Sequence, residues 1–227
     1  MSKSRYEQRL ESSRKGRIKK NLEPRAETWL VVSEGKCTEK NYFDGFKKYY
    51  QENKGLPLNI HTVGGEMNTM SLVKCTDDIL GHCTKEIDSY NGEYAKIFVV
   101  FDKDDFPNDH FDNAIKQCES RGYIPLWSNQ CFELWLVLHY QYLNSAINKD
   151  DYCKRLKDKL GKKYEKNNIN IFSDIIGEDI SKLKFACKNS KKLYNLFLKD
   201  TPSVCNPCTV VYKFFDCIKE YNSKNNN

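Results

Sequence analysis

Short unbroken apolar runs alternate along this chain with longer segments whose apolar residues recur every three to four positions. Unbroken runs bounded by charge or glycine read as strands buried on both faces, and the longer recurrence reads as amphipathic helix. Strands are predicted at 28–33 (TWLVVS), 58–63, 96–101 (KIFVVF) and 123–127. Between the first two, KCTEKNYFDGFKKYY carries Phe43, Phe46 and Tyr50 at helical spacing, with Thr38 as its N-cap. Residues 69–90 form a second amphipathic helix (Met70, Val73, Ile79, Leu80, Ile87), and 109–121 a third. Gly64-Gly65 closes the second strand as a turn, because it matches no phosphate-loop pattern. Strands alternating with helices predict an α/β fold with a mostly parallel sheet sandwiched by helices.

The segment SNQCFELWLVLHY, 128–140, reads as a strongly apolar helix capped by Ser128 or Asn129, with Glu133 in its first turn. His139 lies six positions further on, about 240° around that helix, so it does not share a face with Glu133 and is expected to be structural. No further strand is predicted beyond residue 145. Segments 149–166 and 178–200 are Lys-rich, with apolar positions at helical spacing and Tyr152, Tyr164 and Tyr194 interleaved. Such helices can contact phosphates and stack bases, although a Lys-rich face is more commonly just solvated. Asn206-Pro207 reads as an N-cap with proline at the first helical position of a last helix, 207–221. Pro24 marks an earlier boundary. The expected organisation is an arm at 1–25, an α/β core at 26–144, a helical extension at 145–222 and a disordered tail at 223–227.

Composition narrows the class. Apolar and aromatic residues make up 39% of 227 positions, enough for a substantial core. No apolar run approaches the length of a membrane span, and the first twenty residues lack the apolar block of a secretory signal, so a cytoplasmic protein is expected. Ten cysteines lie mostly within apolar runs, where a free thiol behaves as a small hydrophobe. Cys205 and Cys208 form a lone C-x-x-C without the second pair that zinc sites usually have. The net charge of +6 is confined to the arm, which holds nine Lys/Arg against three Glu, while the remainder balances at 28 against 28. Arg14, Lys15, Arg17, Lys19 and Lys20 are its candidate phosphate contacts; a solubilising tail has the same composition.

The chemistry gathers at strand exits. After 96–101 come Asp102, Asp104 and Asp105, and ligands of open α/β sheets bind just beyond the carboxyl ends of strands. Alternation would send Asp102 and Asp104 to one side, where clustered carboxylates repel unless a cation neutralises them. Hard cations such as Mg²⁺ take such oxygens, though Asp-rich turns are common without any metal. Glu34 occupies the same place after the first strand, beside Gly35, with Glu39 in the first turn of the helix that follows. Glu133 starts the helix after the fourth strand. Two metals about 4 Å apart at such a cluster can activate water and stabilise a leaving oxygen in phosphodiester cleavage. There is no Ser/His/Asp arrangement, dinucleotide fingerprint or Walker lysine motif.

The ordered blocks SEGKCTEKNYF (33–43), VFDKDD (100–105), SNQCFELWLVLH (128–139) and NPCTVV (206–211) resemble the RloB family over most of residues 28–215. That family is similar to the Toprim superfamily, with a Glu after its first strand and an Asp-x-Asp after a later one. The resemblance implies a Toprim-like core, Mg²⁺ or Mn²⁺ at the acids, and a role in bacterial anti-phage defence by abortive infection. It also implies an ABC-type ATPase partner and, by analogy with related two-component systems, RNA and especially tRNA as substrate. Glu34, Asp102 and Asp104 correspond to the superfamily acids, with Glu34 as general base and metal ligand. In the catalytic set Glu133 is then a second-metal ligand or positioning acid, Asp105 a further ligand, and Glu39, Ser128, Asn129 and His139 supporting residues. Gln130 departs from the proline common in the family. A DNA nickase, or a non-catalytic nucleic-acid-binding subunit of the ATPase complex, are the alternative readings, and homo-oligomerisation stays open.

Overall fold

The predicted apolar runs lie side by side in a computed structural model that describes residues 26–54, 57–65, 69–81 and 93–225. They form β1 (Glu27–Ser33), β2 (Leu58–Gly64), β3 (Lys96–Asp102) and β4 (Ile124–Asn129), all parallel, with β5 (Cys208–Thr209) antiparallel on the edge. The order is β2-β1-β3-β4-β5. This is a mixed α/β fold with a mostly parallel five-stranded sheet, as the alternation implies. The helices are α1 (Thr38–Lys54), α2 (Thr69–Gly81), α3 (Asn108–Ser120), α4 (Glu133–Val137), α5 (Lys149–Leu160), α6 (Ile171–Ile176), α7 (Ser181–Tyr194) and α8 (Tyr212–Asn225).

Continuous apolar strands make sense because both faces are covered. Leu30, Val32, Val99, Phe101 and Trp127 pack against Leu72 and Val73 of α2 and Phe111 and Ala114 of α3. Trp29, Val31, Phe98, Val100 and Leu126 face the other way, into a larger core shared with α1 and all helices from α4 to α8. Each buried Phe, Leu or Val there contributes about 1.5–3 kcal/mol relative to exposure. Phe214 of α8 joins the layers, with ring centroids 4.9 Å from Phe98, 5.0 Å from Phe43 and 5.6 Å from Phe46. Among the described residues no helix is long and apolar enough to cross a membrane.

Several boundaries differ from the sequence reading. Ser128 and Asn129 do not cap a helix: they end β4, where the Ser128 hydroxyl meets that of Thr209 at 2.9 Å and the Asn129 amide donates to the Ser203 carbonyl. The Asn129–Gln130 peptide is cis. The apolar helix is only the single turn α4, because its residues are buried on every side and no polar face sustains a longer amphipathic rod. Helix α5 stops at Leu160, where Gly161 takes the left-handed conformation (φ 66°) that ends helices. The expected helix at 207–221 begins five residues late. Cys208 and Thr209 pair with β4 instead, so a strand does exist beyond residue 145. The β-branched Thr209, Val210 and Val211 are buried and suit that pleated edge. Thr38 opens α1, but its hydroxyl donates to the Lys166 carbonyl at 2.9 Å rather than serving as the expected cap. Residues 82–92, and with them Ile87, lie outside the described residues, as does the whole basic arm with Arg14, Lys15, Arg17, Lys19 and Lys20.

Glycine sets the approach of α1 to α6. A Cβ at Gly45 would lie 2.6 Å from Phe172 Cβ, an atom too near its backbone to swing away. Alanine there gains about 1 kcal/mol of helix propensity against an overpacking cost of about 1–3 kcal/mol. Gly45→Ala is therefore expected to lower the urea midpoint modestly and Gly45→Val more steeply. Unchanged midpoints in both would show that α1 and α6 can part freely.

Candidate functional site

The order β2-β1-β3 makes the chain leave β1 toward one edge and return on its other side as β3. The gap between the carboxyl ends of β1 and β3 is thus a topological switch point, where open α/β sheets place their ligands. Glu34 and Asp102 stand at those two ends. The Glu34 amide donates to the Val100 carbonyl at 3.0 Å, extending the β1–β3 ladder by one step. Its carboxylate accepts the Asp102 amide at 3.4 Å, so each strand end holds the other.

The loop after β1 is fixed by close packing. The Ser33 hydroxyl donates to the Gly35 carbonyl at 2.8 Å, and the Gly65 amide donates to the Ser33 carbonyl at 3.0 Å. A Cβ at Gly64 would lie 2.9 Å from the Gly35 carbonyl oxygen and 3.0 Å from Lys36 Cα, both backbone atoms. Gly64 is therefore a contact point for the acid-bearing loop, beyond the turn expected of it. The Glu39 carboxylate folds back over Gly35, where a Cβ would meet its Oε2 at 2.5 Å. This brings Glu39 from the first turn of α1 toward the strand exit.

Asp102 is the centre of the cluster. Its Oδ2 accepts the Phe132 amide at 3.1 Å, at the start of α4, while its Oδ1 is buried without a hydrogen-bond partner. Burial, then the charges of Glu39, Glu133 and Asp104, pushes its carboxyl well above the ordinary range. Glu39 is pushed up to about 7, first by burial and then by Glu133 and Glu34, against a backbone hydrogen bond and Lys166 that favour its charge. Glu133 is 5% exposed at the first position of α4. It accepts a hydrogen bond from the Tyr164 hydroxyl at 3.0 Å, and Lys166 Nζ lies 3.6 Å from the same oxygen. The Glu133 charge is the main influence raising the Lys166 pKa.

The other predicted residues lie differently. The strand ends at Asp102, so the alternation argument does not reach Asp104. That residue sits in a turn at φ 42°, ion-paired to Lys149 of α5. Asp105 is exposed on the same turn. Ser128 and Asn129 hold β5 and the 202–204 turn to β4, as described above. His139 is apart from the acids in its chemistry. Its Nδ1 lies 3.0 Å from the Trp135 carbonyl and its Nε2 3.0 Å from the Tyr42 hydroxyl. The carbonyl can only accept, so Nδ1 donates to it and Nε2 accepts from Tyr42. Burial lowers its pKa to about 4, leaving a neutral core histidine.

Sequence reading missed Lys149, Tyr164 and Lys166. All three belong to the C-terminal helical region, and Lys166 also ties its carbonyl to Thr38. Nothing local distinguishes them from neighbouring lysines and tyrosines; only the interleaving of tyrosine in a basic stretch hinted at a role.

Among the described residues no group of three or more His, Cys, Asp or Glu side chains is spaced to hold a metal ion. Glu34, Glu39, Asp102, Glu133 and Asp104 share an electrostatic field rather than a ready coordination sphere. Their donor chemistry nevertheless fits a hard divalent cation. They offer carboxylate oxygens alone, one of them buried and unpartnered, and a cation would relieve their repulsion.

A sequence model of the family described as RloB-like protein matches residues 29–218. No curated protein and no solved structure matches the chain.

The folded protein binds the Glu39 proton more tightly than the unfolded chain, whose value is near the ordinary 4.5. Between pH 4.5 and about 7 the native state holds more protons, so this group makes stability fall as pH rises through that window. In chelator-treated protein, Glu39→Gln is expected to raise the melting temperature near pH 7.5 and flatten its decline with pH. An identical pH profile in the variant would show that the Glu39 carboxylate does not feel the cluster.

Proposed function

The chain belongs to the RloB-like family, and from that premise we propose that it is a divalent-metal-dependent nuclease whose site is the acid cluster at the ends of β1 and β3. The observation that carries this reading is the Glu34–Asp102 contact at the switch point, beside the buried, unpartnered Oδ1 of Asp102. Buried like charges are costly to keep, and a protein folds more easily without them unless they serve a ligand. A Toprim-like assignment of the core accords with a glutamate after the first strand and an aspartate at the end of β3.

Glu34, Asp102 and Glu133 would hold Mg²⁺ or Mn²⁺, with Asp104 and Asp105 on the adjoining turn. When bound, such an ion supplies Lewis-acid polarisation of a phosphate and a lowered pKa of water. Burial and the neighbouring carboxylates push Glu39 up to about 7, a range that suits a general base. It shares that role with Glu34, the superfamily position. Glu34 anchors to the Asp102 amide, which orients its carboxylate between the two strand ends. The Phe132 amide keeps Asp102 Oδ2 turned toward α4. Tyr164 and Lys166 hold Glu133 in place, and Lys166 adds a cation beside the cluster that can attract a phosphate. RNA, tRNA in particular, is the favoured substrate by family analogy. Anti-phage defence with an ABC-type ATPase is the favoured setting on the same grounds.

One observation favours the alternative of a non-catalytic subunit: Asp104 and Glu133 already carry internal cations, Lys149 and Lys166. The two readings separate on metal and cleavage together. Under the nuclease reading, Mn²⁺ should raise the melting temperature of the wild type but not of Glu34→Ala or Asp102→Ala. Bulk tRNA should yield discrete fragments that chelator or Asp102→Ala abolishes. Nicked plasmid with intact tRNA would move the substrate to DNA. A wild type whose melting temperature ignores Mn²⁺ and which cuts neither substrate, with or without an ATPase partner, would leave the non-catalytic reading standing.

A further inference from the structure

A second charged surface lies on α7 and α8, away from the acid cluster in its lining residues. Helix α7 carries five lysines and no acid in its 14 residues. Its buried side is Ala186, Cys187, Asn189, Ser190 and Leu193, which turns the lysines outward. Lys184, Lys188 and the adjacent pair Lys191-Lys192 recur at three to four positions, roughly one helical turn of about 5.4 Å per step. With Lys219 of α8 and the exposed Leu196 they line a groove of about 540 Å³.

Two contrasts separate this face from an ordinary solvated one. Helix α5 is equally rich in Lys and Arg, but it interleaves Asp150, Asp151 and Asp158, the alternating pattern of a surface that only solvates. Among the described residues the groove's lysines share one ion-paired carboxylate: Asp216 lies 2.7 Å from Lys191 and 3.7 Å from Lys219. Among the described residues no carboxylate pairs with Lys184, Lys188 or Lys192. Second, two of these lysines are laid on tyrosines. Lys192 Nζ is 4.0 Å from the Tyr142 ring centroid and Lys191 Nζ 5.3 Å from that of Tyr212. Aromatic faces hold the cations out in defined places, reducing the entropy lost when an anion arrives.

A row of strongly hydrated point charges in a groove, bordered by aromatic rings, is matched by a row of phosphates. We propose that the α7–α8 groove binds the phosphate backbone of a nucleic-acid strand. The site is independent of the acid cluster's chemistry, so it stands whether or not that cluster cleaves. It would contact phosphates without reading bases, because lysine ammonium groups carry no bidentate geometry.

The test is equilibrium binding of a short fluorescein-labelled single-stranded RNA to the full chain, by anisotropy, in chelator and over a range of salt. Chelator removes any cleavage, so the result reports binding alone, and the comparison of variants assigns it to the groove. Each neutralised phosphate contributes a slope of about −0.7 in log K against log salt for single strands. Lys184→Gln/Lys188→Gln/Lys192→Gln should weaken binding at least tenfold and reduce the slope by about 2. An equal-charge control, Lys154→Gln/Lys157→Gln/Lys159→Gln on α5, should change both far less. Equal losses in the two triple variants would mean that net charge alone attracts RNA, and would overturn the proposal. Unchanged binding in the α7 variant would overturn it as well, as would capture of phosphatidylserine vesicles in place of RNA. If the α7 variant fails to fold, acetylation footprinting of the wild type decides: bound RNA should shield Lys184, Lys188 and Lys192, and equal labelling with and without RNA refutes the site.

Discussion

Like charge held at close quarters is the constraint on which this structure turns. Carboxylates from β1, α1, β3 and α4 meet at one end of the sheet, and burial raises the pKa of Asp102 before its neighbours raise it further. The scaffold tolerates this through backbone donors and borrowed cations. The Phe132 amide serves Asp102, the Asp102 amide serves Glu34, and lysines from the C-terminal region serve Glu133 and Asp104. The rest of the fold is a rigid frame for that meeting, with two apolar layers fixing the sheet from both faces.

The helices beyond residue 145 are part of this frame. Tyr164 and Lys166 close over Glu133, Thr38 ties their loop to the start of α1, and Phe214 plugs the layer between α1 and the sheet. The segment that looks like an appendage in sequence therefore supplies both core and site. Its outer side is used differently. Helix α7 buries one stripe against the core and turns a run of lysines with little compensation to the exterior, separating the acid centre from a basic face. For a protein handling nucleic acid, such a division is physically sensible. Under that reading phosphates would be drawn by the lysines, while an all-carboxylate site would repel them until a cation is present.

The four parallel strands, and the exits where Glu34 and Asp102 stand, were legible in the order of residues alone. Continuous apolar runs such as KIFVVF can be satisfied only by burial on both faces, and a charged or glycine-bearing residue at the end of each run marks where the strand must stop. That logic placed Glu34 and Asp102 correctly at strand exits, because it depends only on local alternation of apolar and polar residues. It failed where local pattern and tertiary burial diverge. The segment 128–140 has the composition of a long helix, yet its capping residues belong to a strand, since the Ser128 and Asn129 side chains find partners 81 and 74 residues away. Residues after Pro207 form an edge strand for the same reason: β4 offered an unpaired ladder that no local signal could announce.

Which charges meet depends on packing between distant segments. Alternation suggested that Asp102 and Asp104 face the same way, but a turn with positive φ intervenes and Lys149 takes Asp104. Glu39 and Glu133 join the cluster through a side chain folded back over a glycine and through a helix start tied to Asp102 by the Phe132 amide. Lys149 and Lys166 were indistinguishable from the other lysines until distance selected them. The periodicity of apolar and polar positions is a property of consecutive residues and can be read from them. Electrostatic neighbourhoods depend on separations between residues far apart in the chain, and those exist only once the layers have packed.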